Sequence, residues 1–286
     1  MIELKLTPPR PYRLADAVGG RDPTRRSGGG VLEVALRTEA GPARARVWQR
    51  IDGTLGVRLA APDPATALDR LRFVLSVDVD HSRFLAQARA DRLLAPLVRR
   101  RPALRPARRA TVAHALVRAL AGQLITSVEA ARIERRLLAA ICPAEAGLRL
   151  PPTWADLRRL SPAAAARCGL SPGRAATLVR IARTVDPARL ATAPTAAATR
   201  RLIAEPGVGP WAAGVVLGEG LGRTDAAPVG DLGLVKLCSA LLARRADAAD
   251  TARLLAQYGE WAAFAAAHLL AHPLARGQRF RGYLAA

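Results

Sequence analysis

The period of apolar and polar positions changes once along the chain. Over 31–37 they alternate one by one, as in a strand with one buried face. The alternation returns over 43–51 and 54–59, on either side of Asp52-Gly53, a dipeptide suited to a tight hairpin turn. Residues 4–6 read as a further strand and 65–75 as a helix, so a small α+β unit is expected first. After Asp80 the two-residue period stops. Residues 82–99 read as one helix and 99–109 as a basic, proline-rich linker. From Thr111 the pattern is helical, over 112–122, 127–141, 153–159, 162–167, 172–184, 195–205, 210–219, 232–244, 248–257 and 259–271. No internal repeat is visible, and the basic tail 276–286 reads as loosely ordered. The expected boundaries are 1–78 for the α+β unit, 79–111 for a helix and linker packing with the C-terminal part, 112–224 for a helical unit and 225–286 for a C-terminal helical part.

Composition narrows the function. The chain has 286 residues and is 50% hydrophobic, which excludes a disordered protein. No apolar run reaches the ~20 residues of a membrane helix. The N-terminus lacks the build of a signal peptide. Three scattered cysteines (Cys142, Cys168, Cys238) make neither a disulfide framework nor a cluster motif. A cytoplasmic, nucleoid-associated monomer is expected. There are 44 Lys+Arg against 23 Asp+Glu, a net charge of +21. Such a chain suits a polyanion, duplex DNA or RNA first, because each neutralised phosphate releases a counterion. Lys5 and Lys236 are the only lysines, so GC-rich codon bias explains arginine over lysine but not the two-fold basic excess.

Pro206-Gly207-Val208-Gly209-Pro210 lies between two helical stretches. Glycine amides can approach an anion closely, and the next helix start adds its dipole. The same residues also suit a plain helix–turn–helix corner. Asp231 follows a loop with Pro228 and Gly230 and precedes a helix, so it reads as an N-cap. A capping carboxylate is fixed in direction and its negative charge is favoured there. Thr126-Ser127-Val128-Glu129 looks like a capping box, which puts Gln123-Leu124-Ile125 at a corner between helices.

The stretch Leu202–Ala213, the loop Leu221–Leu234 and the segment Leu116–Val128 with Gly122-Gln123-Leu124 together resemble the helix–hairpin–helix DNA glycosylase superfamily. Within it the chain is most similar to the bacterial DNA-3-methyladenine glycosylase II family, whose opening Leu6-Thr7-Pro8-Pro9 and N-terminal α+β unit it shares. The resemblance implies an α+β fold: a mostly helical body with a small N-terminal α+β domain. It implies a monofunctional glycosylase that excises alkylated purines of the 3-methyladenine and 7-methylguanine type from damaged duplex DNA.

By the same resemblance Asp231 is the catalytic carboxylate, and Asp225 is its rival in the same loop. Trp211 is the pocket aromatic; it stands 20 residues before Asp231. Val215 and Leu270 occupy pocket positions that are usually aromatic. Leu124 is the wedge that enters the duplex, and Gln123 lies beside the gap. Gly207, Val208 and Gly209 bind the backbone. No organic cofactor is implied, though the hairpin 206–209 is a candidate for a monovalent cation. Trp211 stands where glycosylase–lyases carry lysine, which removes a Schiff base at that position. His114 reads as structural, and His268 and His272 as an ordinary helix face. Three rivals remain: a catalytically inactive or altered-specificity DNA-binding protein on the same fold, a glycosylase–lyase, and a generic Arg-rich RNA binder.

Overall fold

The computed structural model describes residues 1–18 and 22–276; the rest of the expected loose tail lies outside them. The N-terminal part is an antiparallel sheet of β1 (Ile2–Leu6), β2 (Arg25–Gly28), β3 (Val31–Thr38), β4 (Gly41–Gln49) and β5 (Leu55–Ala60), in the order β1-β5-β4-β3-β2. β4 shows why it forms. Ala43, Ala45 and Val47 point into the core, and Arg44 and Arg46 point away. The helix Pro64–Leu75 closes that core with Leu71 and Leu75, each worth roughly 1.5–3 kcal/mol on burial. Asp63 starts the helix by accepting the Thr66 N–H at 3.1 Å. Ala35, on the outer face of β3, is also buried, because Leu148 and Leu150 cover it. The alternation over 31–37 therefore understates how much of β3 is enclosed.

The helices build two further cores. One joins the helices Val112–Gly122, Ser127–Ile141, Pro172–Thr184 and Pro210–Val215. The other packs Phe84, Leu85, Ala88, Leu94 and Val98 against Leu234, Leu237, Leu255, Phe264 and Leu269. The chain thus enters the second core, leaves to build the first, and returns after residue 226.

Four expectations change. The single helix over 82–99 is two, Ser82–Ala90 and Ala95–Arg100, because Asp91 accepts the N–H groups of Leu93 and Leu94 at 2.8 and 2.7 Å and starts a new turn. A helix at Pro187–Thr192, capped by Asp186, and strand β2 had no clear periodic signal. The helix over 210–219 changes to a π-helical turn at Val216–Gly220. The basic linker is not a solvated connector. Arg105 is buried, lies 5.0 Å over the Tyr12 ring and bonds His81 Nδ1 at 2.7 Å. Arg108 lies 4.7 Å over Phe73 and donates to the carbonyls of Phe73 and Gly222. A guanidinium has five planar donors, so one side chain can bridge several elements.

His114 is buried and bonds Glu134 at 2.8 Å. His268 is buried rather than on an open helix face: it packs against Phe84, and burial first, then His81 and Arg101, push its imidazole down to about 4.

Candidate active site

A cleft of about 890 Å³ opens where the hairpin, the wedge corner and the start of the helix Leu232–Leu242 meet. Asp231 sits at its floor as the N-cap of that helix. Its Oδ1 accepts the Gly233 N–H at 2.8 Å, and its Oδ2 accepts the Trp211 indole N–H at 2.9 Å. The loop before it is pinned: Gly230 N–H donates to Thr251 Oγ1 at 2.8 Å and Asp231 N–H to the Pro228 carbonyl at 3.1 Å. The carboxylate is thus fixed at both oxygens and lines the cleft. Asp225 is exposed and accepts from Thr195 Oγ1 at 2.9 Å, a tie to the start of the helix Thr195–Ile203, outside the cleft.

The helix carrying Trp211 holds the loop through small residues. A Cβ on Gly214 would fall 2.1 Å from the Ala227 carbonyl oxygen, so only glycine allows this approach. Gly214→Ala is expected to cost about 1–3 kcal/mol and to displace the loop that ends in Asp231. Thermal unfolding together with activity would show both effects.

Leu124 is 99% exposed and holds a left-handed backbone, φ 55°. Neither condition stabilises the free protein. Gln123 Nε2 donates to the Gly207 carbonyl at 2.9 Å and couples the wedge corner to the hairpin. In the hairpin Gly207 has φ 88°, and a Cβ there would lie 2.7 Å from Thr177 Oγ1. Among the described residues no acceptor takes the N–H of Gly207 or of Gly209. Two backbone donors are therefore available to an anion beside the start of the helix at Pro210.

Three expected site residues fall elsewhere. Val208 and Val215 are buried in the first helical core, where the apolar faces of several helices converge. Leu270 packs behind the helix start at Gly233, beneath Asp231, and is not among the cleft walls. Of the four hairpin carbonyls that are candidates for a cation, those of Pro206, Gly207 and Gly209 already accept hydrogen bonds. The Pro206 carbonyl accepts from Thr177 and from the Arg180 guanidinium, the Gly207 carbonyl from Gln123 and the Gly209 carbonyl from Ala213 N–H. Residues missed in the sequence complete the walls: Arg118, Ile125, Arg174 and Val235. Arg118 and Arg174 follow no motif among many arginines, so only the fold singles them out.

No family model matches the chain. Over 225 residues, 74% of the chain, it is 29% identical to the probable bifunctional transcriptional activator/DNA repair enzyme AlkA of Mycobacterium tuberculosis. The matched region is 44% of that relative, so the chain spans less than half its length. The 3-methyladenine DNA glycosylase of Archaeoglobus fulgidus superposes with a TM-score of 0.79 over 96% of this chain and 98% of its own, at 18% identity. The chain therefore has the fold of that DNA glycosylase. The 8-oxoguanine glycosylase/lyase of Clostridium acetobutylicum, in complex with double-stranded DNA, superposes with a TM-score of 0.69 over 88% of this chain and 98% of its own, at 15% identity. The α+β fold expected from the resemblance is the one observed. No described helix is long and apolar enough to cross a membrane.

Proposed function

We propose that this chain is a monofunctional DNA glycosylase that binds damaged duplex DNA and hydrolyses the N-glycosidic bond of alkylated purines. The observation that carries the reading is the Asp231 carboxylate, held at both oxygens in a cleft, with Trp211 bonded to it and Leu124 projecting beside it. A phosphate meets the amides of Gly207 and Gly209. Leu124 fills the stack as the damaged nucleotide swings out. The base stacks on Trp211. As the C1′–N bond lengthens, positive charge grows on the sugar, and the nearby Asp231 carboxylate stabilises it and orients the attacking water. The base leaves, and water supplies the hydroxyl at C1′. Alkylation has already weakened the bond, so less barrier remains to be removed.

The cleft walls contain no lysine; Lys5 and Lys236 lie outside them. Borohydride treatment during turnover is therefore expected to trap no protein–DNA adduct, and a trapped adduct would establish a lyase. The test of the reading itself is release of free 3-methyladenine or 7-methylguanine from methylated duplex DNA, followed by chromatography. Absence of any released base would leave a DNA-binding protein on this fold.

Leu124→Ala separates the wedge role from folding. The side chain is exposed, so stability is expected to stay within about 0.5 kcal/mol. Excision from duplex DNA is expected to fall about ten-fold or more, because the gap left by the flipped base is no longer filled. Equal activity in the two proteins would remove Leu124 from the mechanism.

A further inference from the structure

Among the described residues Trp211 is the only aromatic in the cleft walls, and an arginine stands at the end of its ring. The indole is oriented. Its Nε1 end bonds Asp231, and its benzo end lies over Gly122. A Cβ on Gly122 would be 2.9 Å from Trp211 Cη2 and 3.5 Å from Arg118 Nη1. Asp231 and Arg118 therefore mark opposite ends of one platform. Arg118 Nη1 is out of reach of solvent and has no hydrogen-bond partner among the described residues. Arg118 also enters none of the ion pairs among the described residues. An enclosed guanidinium nitrogen without an acceptor is a costly arrangement. Enclosed and half-buried arginines away from the cleft differ. Arg105, Arg108, Arg109 and Arg180 each hold a carbonyl or a carboxylate.

We propose that Arg118 reads the far edge of the flipped base and selects purines that present a carbonyl there over purines that present an amine. The proposal rests on the glycosylase reading above. A base laid along the indole, with its glycosidic bond at Asp231, puts its opposite edge at Arg118. A guanine-type lesion offers O6 to the guanidinium N–H. An adenine-type lesion offers an amino group, donor against donor, and leaves the guanidinium unpaired. The arginine side chain is flexible enough to turn its fork toward an acceptor once a base enters. Contact of Arg118 with a backbone phosphate is the competing outcome. It would carry no base preference.

Methylated duplex DNA supplies both lesion types in one reaction. 7-Methylguanine has the O6 carbonyl and 3-methyladenine the amine, and both are cationic, so net charge cancels in their ratio. The ratio of the two release rates is compared between the wild type and Arg118→Met, with Arg118→Lys as a second variant that keeps the charge but loses the planar fork. Both variants are expected to lower the 7-methylguanine to 3-methyladenine ratio about ten-fold, the scale of one well-formed arginine–purine contact. An unchanged ratio with both rates lowered would assign Arg118 to a phosphate or to the fold and overturn the proposal. An unchanged ratio with unchanged rates would also overturn it. A wild type that releases neither base would instead sink the glycosylase reading itself.

Discussion

Asp231→Asn is expected to lower single-turnover base release by about 10²–10⁴-fold while duplex DNA still binds. Asparagine is nearly isosteric and its oxygen can still accept from Gly233 or from Trp211. Its NH₂ group, however, meets the second donor, so one of the two bonds is lost and about 1 kcal/mol of stability goes with it. The charge is lost entirely, and charge is what the developing sugar cation needs. Rates of base release and affinity for methylated duplex, measured on the same preparations, separate the two effects. A variant that turns over within a few-fold of the wild type would move the catalytic role elsewhere. Asp225 would not inherit it, since it lies outside the cleft and is engaged by Thr195.

The body of the fold was legible because its helices carry their own punctuation. Thr111, Thr126, Ser161, Ser171 and Asp231 each cap the helix that begins after them, and the expected helices over 112–122 and 127–141 coincide with those observed. The placement of Asp231 and Leu124 also followed from local signals, a loop ending at an N-cap and a corner between two helices. What could not be read locally was the destination of side chains. Val208 and Val215 occupy positions that suggest a DNA contact and the pocket respectively, yet each is drawn into the core by helices distant in sequence. The arginines were harder still. Charge statistics assign Arg105, Arg108 and Arg109 to solvent or DNA, but the fold uses them as bridges between elements up to about a hundred residues apart, which only tertiary structure reveals. The same is true in reverse of Arg118, one arginine among many until the cleft shows it unpaired.

Arg109→Met is expected to cost about 3–5 kcal/mol, the largest stability loss of any single substitution considered. Arg109 is fully enclosed and meets three carboxylates: Asp22 at 2.9 Å, Glu219 at 2.9 Å and Glu134 at 3.3 Å. Asp22 belongs to the N-terminal part and the other two to the helical body, so this one guanidinium joins them. Burial raises the carboxyl pKa of Asp22 and Glu134, but the Arg109 charge, with His114, outweighs it and holds both below the usual carboxylate range. A depressed carboxylate pKa contributes stability that is complete above the unfolded value, about 4, and is lost as pH falls through the folded value. The wild type is therefore expected to weaken on acidification below about pH 4–5. The variant should behave in the opposite sense. Without the cation, burial dominates, the enclosed carboxyls take up protons more readily than in the unfolded chain, and the deficit against the wild type narrows as pH falls. Denaturant unfolding of both proteins at pH 7.5 and pH 5 measures this. A deficit independent of pH would mean that methionine fails by its shape, and that the charges around Arg109 do not hold the two parts together.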